Sequence, residues 1–389
     1  MTNAPAQIPI TRPLLGEEEA AAAREVLLSG WVTQGAQVAA FEQEFAAYVD
    51  ARHACAVSNC TAALQLALLA VGVRQGDEVV TVSHTFIATA HAIRHCGARP
   101  VFVDVDPATY NMDPGQLESS ITPKTRAIVP VHQMGLACDM DAICEVAERH
   151  NLPVVEDAAC AVGSLVRKGG AWQRIGRPQG TVACFSFHPR KVITTGEGGM
   201  IVTRDAALDR ACRLLRNQGM SVAAEVRHAA KMLVFEEYSL AGFNCRMTDL
   251  QAAIGRVQLR RLAGLLSARI DLAASYDRAL RDIPGLRSPT VPEYARPNFQ
   301  SYPLRVTPEY PLKRDQLMQA LLEDGISTRR GIMNVHQEPA YADLPAQHLP
   351  HSEAARDSVI LLPLYPGLTS GDMKRIIERL HAPHERKNA

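Results

Sequence analysis

Between residues 54 and 157 the chain repeats one pattern: a short apolar run, a small polar turn, then a stretch of helical length. Apolar runs at 54–57, 78–82, 100–104, 127–131 and 153–155 are separated by helical patterns such as 62–70 and 139–150. Six or so alternations of this kind imply a mostly parallel, doubly wound sheet with helices on both faces. Ligands of such sheets bind beyond the carboxyl ends of the strands. Ser58, Phe86, His132 and Asp157 all fall at such ends, which predicts one shared site. Two helical patterns, 17–29 and 38–49, precede the repeat, the second with Phe41, Phe45 and Val49 on one face.

The alternation is followed by a segment of a different kind. An apolar run, 182–187, is broken by Pro189; Lys191 follows, then Thr194, Thr195 and three glycines, before a second apolar run at 200–202. Proline cannot donate to a strand ladder and glycine permits φ > 0, so Lys191 is expected on a constrained loop between two strands. A lysine projecting from such a loop into a cleft can serve as a nucleophilic amine that forms a Schiff base. A surface lysine beside a hairpin fits the segment equally well. Upstream, Ser58-Asn59-Cys60-Thr61 joins a strand to a helix, which presents free N–H groups and the positive end of a helix dipole to a phosphate; Ser58 or Asn59 also suits the helix cap. Glu156 and Asp157 are neighbours on a strand and point to opposite faces, so only one can face a ligand.

Other function classes find little support. Acidic and basic residues balance at 41 each and aromatics make up 5%, so neither a nucleic acid nor an anionic membrane has a footprint. The most apolar window, 62–73, is too short to span a bilayer, and the first seven residues do not read as a signal peptide. Nine cysteines without a Cys-x-x-Cys pair read as reduced thiols of a cytoplasmic protein. His91 and His95 are four apart on a helix, but no third ligand is spaced to complete a metal site. No Gly-x-Gly-x-x-Gly or Walker loop occurs, there are no repeats, and only the tail 385–389 looks frayed. A chain of 389 residues suggests two domains. Past about residue 262 the pattern changes to helices with strands at 302–306 and 326–329, and Thr248 with Gln251 forms a capping box ahead of a long helix.

Ser186-Phe187-His188-Pro189-Arg190-Lys191 with Thr194-Thr195-Gly196-Glu197-Gly198-Gly199 resembles the lysine signature of the DegT/StrS family of sugar aminotransferases. Gly242-Phe243-Asn244-Cys245-Arg246, Gly325-Ile326-Ser327-Thr328-Arg329 and His336 with Pro339 and Tyr341 match further parts of its pattern, and the resemblance runs from about residue 8 to 366. It implies a pyridoxal 5′-phosphate (PLP) enzyme of fold-type I. The large cofactor domain would be 1–255, with an N-terminal arm, and a smaller α+β domain 256–389.

By that resemblance Lys191 anchors PLP and Asp157 pairs with its ring nitrogen, which makes the ring an electron sink. Phe86 stacks on the ring; Asn59, Cys60, Thr61 and Ser186 seat the phosphate, and Asn244 reaches a neighbour's phosphate across a homodimer interface. Cys160 stands beside the phenolic oxygen, where the family usually has Gln or His, and Cys60 where it usually has Gly. Trp31, Thr33, His188, Arg246 and His336 lie toward substrate. An amino acid, by analogy L-glutamate, would supply the amino group, pyridoxamine 5′-phosphate (PMP) would carry it, and a keto sugar linked to a nucleotide would accept it. Segment 299–303 departs from the commonest family form. Same-fold PLP enzymes of elimination or cyclisation chemistry, and non-catalytic ligand-binding descendants, share these features.

Overall fold

A computed structural model describes residues 7–222 and 232–382 of the chain. The readings of residues 1–6 and of the tail 385–389 lie outside the described residues. The elements begin with helices α1 (Glu17–Ser29) and α2 (Ala36–Val49), followed by β1 (His53–Val57) and α3 (Cys60–Ala70). The expected alternation comes next: β2 (Glu78–Val82), α4 (Ala88–His95), β3 (Arg99–Val103), the short α5 (Leu117–Ser120), β4 (Thr125–Val129), α6 (Met140–Arg149) and β5 (Val155–Asp157). A hairpin, β6 (Leu165–Lys168) and β7 (Ala171–Arg174), leads to β8 (Val182–Ser186), β9 (Gly199–Thr203) and α7 (Ala206–Arg216).

Hydrogen-bonded ladders run β1-β9-β8-β5 and β3-β2-β4. The two sets join where Ile128 bridges Val154 and Val131 bridges Asp157, both parallel. The sheet therefore runs β1-β9-β8-β5-β4-β2-β3, with β9 antiparallel to both of its neighbours and every other neighbouring pair parallel. This is the doubly wound sheet that the alternation predicts, with one reversed strand. The reversal follows from the lysine loop, which returns the chain directly from β8 to β9 instead of crossing over by a helix.

The central strands are buried along their whole length, which is why they read as continuous apolar runs and not as alternating ones. Against β8 and β9 pack Phe41 and Phe45 of α2 with Phe185 and Phe187, their rings 5.1 to 6.1 Å apart and mostly edge-on. Each such pair contributes about 0.5–1.5 kcal/mol beyond area burial. Glu42 fastens the same corner: it accepts from the Ala56 amide and pairs with Arg213 and Arg216 of α7.

The long helix α8 (Asp249–Leu280) starts at the expected capping box, where Thr248 Oγ1 accepts from the Gln251 amide at 3.2 Å and Gln251 Oε1 from the Thr248 amide at 3.0 Å. Its 32 residues span about 48 Å at the α-helical rise. Ala252, Leu262 and Leu265 join the core under the large sheet, and Ala273, Tyr276 and Leu280 a second core. The division expected at 255/256 falls inside this helix. The second core lies on the sheet β10 (Leu286–Arg287), β12 (Tyr302–Val306), β14 (Val359–Leu362) and β13 (Arg329–Arg330), while β11 (Ala295–Arg296) pairs back onto β6. The strand expected at 326–329 is displaced. Ile326 instead bridges Ile8 in parallel, with hydrogen bonds from Ile8 N to Gly325 O and from Ser327 N to Ile8 O, so the N-terminal segment takes the ladder positions and β13 holds only two residues.

Candidate active site

At the carboxyl end of β5, Asp157 is 5% exposed. Its carboxylate accepts from Thr89 Oγ1 at 2.7 Å and from the Ala159 amide at 3.1 Å. Thr89 lies in the first turn of α4, three residues past Phe86, so the two strand ends that sequence reading selected are physically joined. Glu156 points the other way, as strand geometry requires: it accepts from the amides of Gln179 and Gly180 and pairs with His132 Nε2 at 3.1 Å. His132, fully enclosed, also accepts from the Cys138 amide through Nδ1, which assigns the proton to Nε2. It is therefore a structural partner of Glu156, although its position at a strand end matched the others.

The lysine loop leaves β8 at Ser186 and folds tightly on itself. Phe187 O accepts from the Thr195 amide and from Thr194 Oγ1, the Phe187 amide donates to Gly198 O, and the Lys191 amide donates to His188 O. Lys191 turns back over the sheet, and its Nζ donates to Cys160 Sγ at 3.1 Å. Burial disfavours the ammonium, but Cys160, Cys60 and Asp157 around it outweigh burial and hold the amine above its ordinary value. Cys60 feels the same neighbours: burial first, then Asp157, push its thiol well up, with Lys191 opposing. Lys191, Asp157, Cys160 and Cys60 therefore share one electrostatic neighbourhood, built from the ends of β5 and β8 and the start of α3.

That start is a cradle. Asn59 caps α3, its Oδ1 accepting from the Ala62 amide at 2.8 Å. The helix begins at Cys60, two residues before the apolar pattern, so Cys60 and Thr61 lie in its first turn. Gly199, paired with Ser186 across the β8–β9 ladder, lies directly beneath: a Cβ there would come within 2.6 Å of the Asn59 carbonyl and 2.9 Å of the Cys60 nitrogen. The close approach brings Ser186 and the free N–H end of α3 together.

The other residues expected at the site are distributed around it. The Phe86 ring is 69% exposed, a flat apolar face with no packing of its own in the core. His188 flanks the lysine and accepts from the Arg190 amide through Nδ1; burial lowers its pKa. Asn244 and Arg246 lie on a strip that bridges Asn217 and Val57, where the Ser58 amide donates to Cys245 O and Arg246 Nη1 to Asn217 Oδ1. The His336 side chain is 7% exposed: Ser83 at the end of β2 binds both its Nδ1, at 2.6 Å, and its amide. Burial lowers its pKa despite Glu353 at 3.4 Å. Trp31 and Thr33 are tied to the start of α8, since Trp31 Nε1 donates to Gln34 O, Thr33 O accepts from the Asp249 amide, and Asp249 caps α2 through Gly35 and Val38. His91 and His95 stack on each other, and His91 on Tyr341; among the described residues no group of three His, Cys, Asp or Glu is placed to hold a metal ion.

Sequence reading missed Ser83 and Thr89, although both border the same strand end as Phe86. It also missed Asn298, and it marked Gln300 only as part of segment 299–303, which departs from the commonest family form.

This donor set fits PLP. The N–H cradle with Ser186 suits a dianionic phosphate, the exposed Phe86 ring a planar heterocycle, Asp157 a protonated ring nitrogen, and the Lys191 amine an aldehyde.

Residues 13–381 match the profile of the DegT/DnrJ/EryC1/StrS aminotransferase family. The chain is 41% identical over 376 residues to the spore coat polysaccharide biosynthesis protein SpsC of Bacillus subtilis, covering 95% of each chain. It is 41% identical over 378 residues to the GDP-perosamine synthase of Caulobacter vibrioides, covering 96% of this chain and 97% of that one. Among solved structures, Spr1654 of Streptococcus pneumoniae in its PLP form superposes with a TM-score of 0.88 at 27% identity, over 97% of this chain and 98% of that one. A family match along nearly the whole length, on a fold-type I sheet with a lysine, a carboxylate and a helix N-terminus at its strand ends, places the chain in the DegT/DnrJ/EryC1/StrS aminotransferase family.

Proposed function

We propose that this PLP-dependent aminotransferase moves the amino group of an amino acid, L-glutamate by analogy, onto a keto sugar carried on a nucleoside diphosphate. The observation that carries the reading is the convergence of Lys191 and Asp157 beside the N-terminus of α3. The GDP-perosamine synthase relative supports a nucleotide-linked sugar as the acceptor.

Bound at this site, PLP supplies an aldehyde that takes up the amino group and a ring that draws electrons from the reacting carbon. Asn59, Cys60 and Thr61, with Ser186, would hold its phosphate at the α3 N-terminus; Phe86 would stack on the ring; Asp157, fixed by Thr89, would keep the ring nitrogen protonated. Lys191 first anchors the aldehyde. Its Nζ would also be the group that moves a proton at the donor's Cα. We assign the contacts to the sugar nucleotide to His336, which Ser83 orients, and to His188 and Arg246.

The working unit we propose is a homodimer in which Asn244 completes the partner's phosphate site. Met232, Leu233, Phe235 and Tyr238 are each more than half exposed on the stretch leading to Asn244, an apolar surface that a second copy would cover. Nine free cysteines fit a reducing cytoplasm, and among the described residues no helix is long and apolar enough to cross a membrane.

Purified protein should take up PLP with a visible absorption band that borohydride fixes onto the Lys191 peptide. Lys191→Ala should bind PLP only reversibly and lose about three or more orders of magnitude in turnover. A protein that remains colourless in excess PLP, or a fixed adduct on another lysine, would refute the reading. Transfer of 15N from labelled glutamate to a panel of nucleotide-linked keto sugars identifies the acceptor.

A further inference from the structure

We propose that Asn298 and Gln300 are positioning residues: a single turn of the crossover into the second sheet holds the lysine loop and the Cys160 turn in register, and Arg269 ties that turn to the far core. The proposal rests on Lys191 being the anchoring amine.

The two loops whose side chains meet at Lys191 and Cys160 leave the paired strands β5 and β8. One three-residue segment contacts both. Gln300 Nε2 donates to Arg190 O at 2.8 Å, one peptide before Lys191. Asn298 Nδ2 donates to Cys160 O and to Val162 O, each at 2.8 Å, and the Asn298 amide donates to Ser164 Oγ at 3.2 Å. Asn298 Oδ1 accepts from the Gln300 backbone amide at 2.8 Å, so the Asn298 side chain fixes the backbone that carries Gln300. Asn298 is 1% exposed, and every polar atom of its side chain is engaged.

Three further features show that the segment is held against a cost. Phe299 between them has φ +49°, a left-handed conformation that costs a side-chain-bearing residue about 1–2 kcal/mol. Gly135, at φ +91°, leaves room for Asn298: any Cβ there would overlap Asn298 Oδ1. Arg269 of α8 is 2% exposed, and the partners of its Nη1 are carbonyls: Phe299 O and Gln300 O at 3.2 Å and Leu364 O, just past β14, at 3.1 Å. Burying a guanidinium against neutral acceptors is unfavourable, and burial brings its pKa down to about 10. Its position makes the 298–300 turn respond to the second sheet: a shift of β14 relative to α8 pulls on Gln300 O, hence on Arg190 and on the lysine it carries.

Gln300→Glu tests this while preserving shape, because it turns a donor toward Arg190 O into an acceptor; Gln300→Ala removes the group. Both variants should unfold within about 3 °C of the parent, since the bond lost is partly solvent-exposed. In PLP-loaded protein the pH midpoint of the visible band should move by about half a unit or more. The turnover number should fall about tenfold, with KM for the amino donor changing less than about twofold. In cofactor-free protein the rate at which an amine reagent labels Lys191 should change in both variants, read by peptide mass spectrometry. A parent-like band midpoint and labelling rate in Gln300→Glu would overturn the proposal, as would losses that simply follow a lowered melting temperature. Borohydride mapping of the parent separates the two readings: an adduct on Lys191 with unaffected Gln300 variants removes only the positioning role, whereas no adduct on Lys191 removes the site assignment first.

Discussion

At the scale of single residues, the chemistry depends on what surrounds one amine. A lysine poised to capture an aldehyde must lose its proton first, and here the surroundings oppose that loss: Cys160 at 3.1 Å, Cys60 and Asp157 favour the ammonium more than burial disfavours it. Cys160 is the foremost of these, so Cys160→Ala should lower the pKa of the Lys191 amine. Because the captured species is the free amine, PLP uptake by cofactor-free Cys160→Ala should accelerate at neutral pH, a few-fold or more, and its pH profile should move to lower pH. Following absorbance after mixing at a series of pH values from 7 to 10 measures this. An unmoved or alkaline-shifted profile would show that the thiol does not set the amine's protonation. Cys160 was legible in the sequence only as a departure from the usual Gln or His; its contact with Lys191 emerged only when β5 and β8 were placed side by side.

At the scale of elements, the site depends on how closely one strand can pass beneath one helix end. Asn59 caps α3 and Ser186 ends β8, but the element that brings them together is β9, whose first residue has no side chain. Gly199→Ala places a methyl carbon 2.6 Å from the Asn59 carbonyl, below any ordinary contact, so the α3 N-terminus or β9 has to shift. The expected result is a fold-competent protein with PLP affinity reduced about ten- to a hundredfold, the scale of losing one or two charge-assisted N–H contacts to phosphate. Equilibrium titration by fluorescence measures it, and Gly196→Ala is the control: Gly196 has open space around it but sits at φ +83°, so it reports backbone strain without the close approach. If the two variants lose affinity equally, the tight passage under α3 is not what seats the phosphate.

At the scale of the whole molecule, the sequence disclosed what local pattern controls and hid what long-range packing decides. Buried parallel strands write themselves as apolar runs, and proline and glycine punctuate a loop, so the sheet, the lysine loop and the α8 capping box could all be read in advance. Thr89 and Asp157 are 68 residues apart and His336 and Ser83 are 253 apart, and nothing local to either partner announces the pairing. The same holds for His84, whose Nδ1 donates to Asn334 Oδ1 at 2.9 Å and joins the end of β2 to the segment that carries His336. His84 is fully enclosed, and its Nε2 has no hydrogen-bond partner among the described residues. Burial lowers its pKa to about 4, against the opposing pull of Asn334 and Asp104. A histidine depressed in the folded state, with an ordinary value of about 6.5 when unfolded, contributes stability that is complete above pH 6.5 and is lost as pH falls toward 4. The loss at stake is about 3 kcal/mol. Carboxylates titrate in the same window, so the measurement is a comparison: urea unfolding of the parent and of His84→Gln at pH 7.0 and pH 4.5. The parent should lose more stability on acidification than the variant, which has no proton to take up at that position, and the gap between them should narrow by about 2 kcal/mol or more. Equal losses would mean that His84 does not resist protonation, and that the junction between β2 and the His336 segment is held by something else.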